Sequence, residues 1–157
     1  MGEVIPWTGL GAARFGEKRE VLRDRLGEFT SFVRTPGTPP VDHYVPLGLL
    51  LSFDRSDRLV FIEATTTARP TLASVELCGR PFGDVVADLA RMGVTVEVDD
   101  SGGVLHGMGV ALYTPAPDEP DVEVEAVSLF AVNRCSADVP PADSTGATEE
   151  PQEDTLF

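Results

Sequence analysis

The chain has 157 residues, 42% of them hydrophobic, and a formal net charge of −14. That length suits one ordinary domain, or two fused half-units around one core. No apolar run reaches the twenty residues of a membrane-spanning helix, and the excess of acid excludes nucleic-acid binding by charge, which needs clustered Lys and Arg.

In chain order, Val4–Trp7 reads as a short strand, and Gly9 and Gly11 punctuate a turn. Glu17–Leu26 fits an amphipathic helix. Val21, Leu22 and Leu26 face inward, and Lys18, Arg19, Arg23 and Asp24 face water. Gly27 is a natural stop. Phe29–Arg34 reads as a strand, and Pro36–Pro40 as a loop, because proline lacks the ladder donor. His43–Phe53 is mostly apolar and suggests a strand buried on both faces, or one facing a helix. Asp54–Asp57 is a polar turn, and Leu59–Thr65 returns beside that strand as a hairpin.

A second unit starts near Leu72, with a strand through Leu77. Gly83–Met92 predicts a second helix, with Val85, Val86, Leu89 and Met92 inward. Val94, Val96 and Val98 alternate with Thr95, Glu97 and Asp99, the clearest strand periodicity in the chain. Asp100–Gly103 is a turn, Val104–Tyr113 a strand or strand pair, Pro115–Pro120 an acidic loop, and Val122–Val132 a closing strand. The two halves share an order: Phe-Gly at 15 and 82, a helix, strands, a Gly-led apolar strand at 48 and 109, and a last strand. This predicts an α+β fold, two short helices on antiparallel sheet, built as an approximate tandem repeat of residues 4–67 and 71–132 within a domain of residues 1–135. Residues 136–157 are almost free of apolar side chains until Leu156 and Phe157, and predict a disordered acidic tail.

Charge follows the same division. Residues 1–70 hold nine Lys/Arg and nine Asp/Glu, residues 71–135 three and eleven, and residues 136–157 none and six. Glu97 and Asp99 project from one strand, and Glu123 and Glu125 from another. If those strands share a sheet, four carboxylates crowd one surface suited to a basic partner protein. No catalytic constellation stands out. His43 and His106 are the only histidines, and with Asp42 they propose a metal site, against the commoner role of strand-edge residues. The alternative to a binding protein is a small-molecule or enzymatic pocket around Tyr44, His43 and His106. Cofactors and metals are not implied. Cys78 and Cys135 read as free thiols of a cytoplasmic protein, since the start of the chain shows no secretion signal.

The last residues, Gln152 to Phe157, offer a peptide ligand in which Asp154, Thr155, Leu156 and Phe157 would enter a partner's pocket. That acidic Phe-ended tip resembles the tip of bacterial single-stranded-DNA-binding proteins, though without Pro before Phe. It also resembles the Gln-led peptide that binds the bacterial sliding clamp, without Leu after Gln. The doubled helix-and-meander unit, over about residues 9–132, resembles the tandem helix-plus-sheet inhibitors typified by the β-lactamase inhibitory protein family. Outer-membrane assembly lipoproteins share the single unit. The disulfides of the inhibitor family are missing, and no functional residue carries over. The resemblance implies a sheet surface that grips another protein, in the manner of an immunity protein neutralising a basic toxin.

Overall fold

A computed structural model describes residues 2–105 and 107–131. The expectations placed on His106, Cys135 and residues 136–157, including Asp154, Thr155, Leu156 and Phe157, lie outside the described residues. The fold is α+β. Eight strands form one antiparallel sheet: β4 (Thr30–Phe32), β5 (Val41–Tyr44), β6 (Leu49–Phe53), β7 (Leu59–Thr65), β10 (Glu97–Asp99), β11 (Gly102–Leu105), β12 (Val110–Tyr113) and β13 (Ala126–Phe130). Their spatial order is β10-β11-β12-β13-β7-β6-β5-β4. Each half of the chain therefore contributes a four-stranded meander, and the halves join where β7 pairs antiparallel with β13, from Thr65 opposite Ala126 to Phe61 opposite Phe130.

The remaining elements are small. β1 (Val4–Ile5), β2 (Gly9–Leu10) and β3 (Ala13–Arg14) form a separate sheet ahead of helix α1 (Arg19–Leu26). β8 (Thr71–Leu72) and β9 (Val75–Glu76) form a hairpin ahead of helix α2 (Phe82–Arg91). Leu22 of α1 and Val85 and Leu89 of α2 join Leu51, Leu59, Ile62, Leu105, Leu112, Val127 and Leu129 of the sheet in one apolar cluster. Burial of that shared cluster is what holds the halves together. Among the described residues, no helix is long and apolar enough to cross a membrane.

The two halves are the same unit, and backbone hydrogen bonds show it. Phe15 N–H donates to Thr8 O as Leu77 donates to Pro70; Gly16 donates to Leu59 as Gly79 donates to Val124. Leu59 donates to Glu17 as Val124 donates to Arg80, and Thr65 donates to Gly48 as Phe130 donates to Gly109. The repeat is thus present, but its anchor differs from the one the sequence suggests. Phe82-Gly83 does not correspond to Phe15-Gly16; Gly16 corresponds to Gly79, and Phe82 to Arg19. Gly48 and Gly109 do correspond, for a steric reason. Both have a positive φ, 71° and 68°. A Cβ on Gly48 would sit 2.6 Å from Thr65 Oγ1, and one on Gly109 2.6 Å from the Trp7 ring.

Several local expectations change. His43–Phe53 is two strands, because Val45–Leu47 makes a 3-10 turn that closes at left-handed Gly48. Thr71–Glu76 is a hairpin, with Ala73 and Ser74 both at positive φ. The period-two run at 94–99 is a strand only over Glu97–Asp99; Val94 is buried under α2 while Val98 is exposed. The helix faces also shift. Val21 and Met92, expected inward, are 44% and 54% exposed, and Arg19, expected in water, is buried.

Candidate functional site

Among the described residues, each unit gathers charge in a different setting. The first is buried. Asp42 lies on β5, on the sheet face that receives α1, and is fully buried. It accepts hydrogen bonds from Arg19 Nη1 at 2.9 Å, from Arg23 Nε and Nη2 at 2.8 and 2.9 Å, and from Ser31 Oγ at 2.8 Å. Arg19 and Arg23 stand four residues apart, so one face of α1 presents both guanidiniums together. Arg19 also pairs with Asp57 at 2.8 Å, and its guanidinium stacks 4.2 Å from the Phe53 ring, as Arg23 does on Phe29. Burial pushes the Asp42 carboxyl upward, but the hydrogen bonds from Arg23 and Ser31 and the nearby Arg charges outweigh it and hold the carboxyl below its ordinary range. Tyr44 is fully buried beside this group, and desolvation raises its hydroxyl to about 12, so it stays a neutral phenol.

This geometry separates Asp42 and Tyr44 from His43. Adjacent strand residues point to opposite faces. Asp42 and Tyr44 face the helix, and His43 faces the other side, opposite Thr30 and Leu50. Asp42 is consumed by two arginines and a serine. Among the described residues, no three or more His, Cys, Asp or Glu are placed to hold a metal ion. Cys78 is buried, and desolvation raises its thiol to about 12, which keeps it protonated and unreactive.

The second place is an exposed end of the sheet. Residues 92–131 contain eight Asp/Glu and no Lys or Arg. All eight are exposed: Glu97, Asp99 and Asp100 around the β10–β11 turn, and Asp118, Glu119, Asp121, Glu123 and Glu125 in the connection to β13. The register puts both segments at one end of unit two, since Gly102 pairs with Tyr113 and Tyr113 with Ala126. Val98, Asp99, Asp100, Pro117 and Asp118 line one open recess there. The four sequence-predicted carboxylates share this end but do not crowd. Glu97 and Asp99 lie on the outermost strand, three strand spacings, roughly 14 Å, from the line of β13. Asp99 also has a local role: its Oδ1 accepts the amides of Ser101 and Gly102 at 2.9 and 3.0 Å and shapes the turn. Glu123 and Glu125 flank fully buried Val124 and point away from it.

Neither Arg19, Arg23, Ser31 nor Asp57 is singled out by the sequence pattern. A signal exists in outline: Arg at i and i+4 on a short helix, and one Asp inside the apolar strand Val41–Tyr44. Comparison with protein-family models, with curated proteins and with solved structures finds no match to this chain.

Proposed function

We propose that the protein is a non-enzymatic binding module that holds a basic partner protein, as an immunity-type inhibitor does, through the acidic end of its second unit. The observation that supports this is the run of residues 92–131, which holds eight exposed carboxylates and no Lys or Arg. Two segments distant in sequence bring that charge to one end, beside exposed Val98 and Tyr113. A one-sign surface steers an oppositely charged partner and sets register, while nearby apolar side chains supply contact area.

The test is capture from native lysate by the full chain and by a variant carrying Asp100→Lys, Asp118→Lys, Glu123→Lys and Glu125→Lys, with Asp99 kept because it holds the turn. The expected result is a basic protein retained by the parent, released as salt rises, and lost by the variant. Equal retention by both chains, a captured protein that is not basic, or no capture at all would overturn the reading for that lysate.

A further inference from the structure

The end of unit one opposite the acidic end brings three cations together. Lys18, Arg55 and Arg58 are all exposed there. Lys18 and Arg58 are tied to each other's segment: Lys18 Nζ donates to Ser56 O at 3.3 Å, Arg58 Nη1 donates to Gly16 O at 2.8 Å, and the two residues form a β-bridge. The carboxylates of the same turn are otherwise engaged. Asp54 accepts the amides of Ser56 and Arg58, and Asp57 pairs with Arg19. Arg58 occupies the position that Glu123 holds in unit two, since each bridges the residue just before its helix, Lys18 or Pro81.

The path of the chain leads to this spot. After β13, Ala131 N–H donates to Val60 O at 3.1 Å, so the chain runs antiparallel to β7 toward Leu59 and Arg58. The lane beside Leu59 is already filled by Gly16 and Glu17, which exchange hydrogen bonds with Leu59 on that side. Ala131, the last described residue, lies beside Val60, two residues along the chain from Arg58. Further along the sequence come residues 138–157, with Asp138, Asp143, Glu149, Glu150, Glu153 and Asp154 and no cation.

We propose that this acidic segment docks in cis on the basic tip formed by Lys18, Arg55 and Arg58. Single exposed ion pairs are weak, but a segment that begins about seven residues beyond Ala131 meets the tip at an effective concentration of order millimolar. The docked segment shields the cationic end from anionic ligands and leaves the acidic end as the charged surface open to partners. This holds whether or not the binding reading above does.

The test uses the full chain with Cys135→Ser and Ser144→Cys, a nitroxide on residue 144, and amide line-broadening as readout; buried Cys78 stays unlabelled. Broadening should centre on Lys18, Arg55 and Arg58 at low salt and fall severalfold in 0.5 M salt, where the screening length is only about 4 Å. It should fall equally in Lys18→Glu/Arg55→Glu. A second variant, with the six carboxylates of the segment changed to Asn and Gln, leaves the folded body untouched and should also lose it. Broadening centred elsewhere, including on the acidic end, or broadening indifferent to the neutralised segment, would overturn the proposal.

Discussion

The two units solve one packing problem in two chemistries. In unit one, the first residue of the helix is Arg19, lying over Asp42; in unit two it is Phe82, lying over Gly103. The register fixes the match, since Asp42 pairs with Leu51 and Gly103 with Leu112, each the third residue of its Gly-led strand counted after the glycine. A Cβ on Gly103 would be 3.3 Å from the Phe82 ring and 2.4 Å from Val96 Cγ1. Around this pair, Arg23 corresponds to Val86, Ser31 to Val98, Phe29 to Val96 and Tyr44 to Leu105. One backbone thus accepts a buried ion cluster at one site and a ring on a glycine at the other. The difference teaches that the polar set is not demanded by the fold. A buried ion pair repays its desolvation only with good geometry, and an apolar set of similar volume does as well or better. What the polar set adds is intolerance of partial change.

That contrast can be broken most severely at Asp42. Asp42→Ala leaves two arginines without their shared carboxylate and should cost about 3–5 kcal/mol in denaturant unfolding; a loss under about 1 kcal/mol would mean the cluster is not buried as described. The same residue sets a pH dependence. Its folded carboxyl titrates below the unfolded value of about 3.9. Its stabilising contribution is therefore complete above that value and is lost as pH falls through the folded one. The stability gap between parent and Asp42→Asn should stay level from pH 7 to 5 and narrow toward pH 2; a gap that widens in acid would reverse the sign.

Gly103→Ala tests the other side of the comparison. The added methyl must displace Val96 and Phe82, and overpacking of this kind costs about 1–3 kcal/mol. Transplanting the apolar set, Arg19→Phe, Arg23→Val, Ser31→Val and Asp42→Gly, should leave stability within about 2 kcal/mol of the parent, far better than Asp42→Ala alone. If the fourfold variant is as damaged as the single one, the two sites are not interchangeable. The smallest effect belongs to the outer face. There the loop 33–40 of unit one ties to the sheet through Arg34 and Glu63 at 2.6 Å, where unit two has only the short turn at Asp100 and Ser101. Arg34→Ala should cost less than about 1 kcal/mol, as exposed pairs do.

Much of this scaffold is legible in the sequence. The spacing of Leu22, Leu26, Val85 and Leu89 marks both helices, and Asp54–Asp57 between two apolar runs marks the β6–β7 hairpin. The doubling is visible through Gly48 and Gly109, because a left-handed turn pressed against a neighbour admits only glycine. Phe15 and Phe82 mislead, because a Phe-Gly pair has no such backbone requirement and recurs without structural meaning. A helix pattern assigns charge outward and so puts Arg19 in water; only the distant Asp42, on a strand whose pairing the local sequence does not encode, brings it inside. The acidic end is half legible. Composition shows the charge, but Glu97 and Glu125 come to the same end of the sheet only through the order of four strands, and that order is a tertiary fact.

The seam between β7 and β13 bears on how the molecule is made. The strands that pair there are separated by about sixty residues of chain, so the first unit leaves synthesis with the β13-facing edge of β7 open over five residues, Phe61 to Thr65. An open strand edge of that length invites pairing with another chain. Closing it requires a contact of long sequence separation, which slows folding. The nascent first half is therefore the stage most exposed to aggregation, and a chain cut after residue 70 should collect in inclusion bodies while the full chain does not.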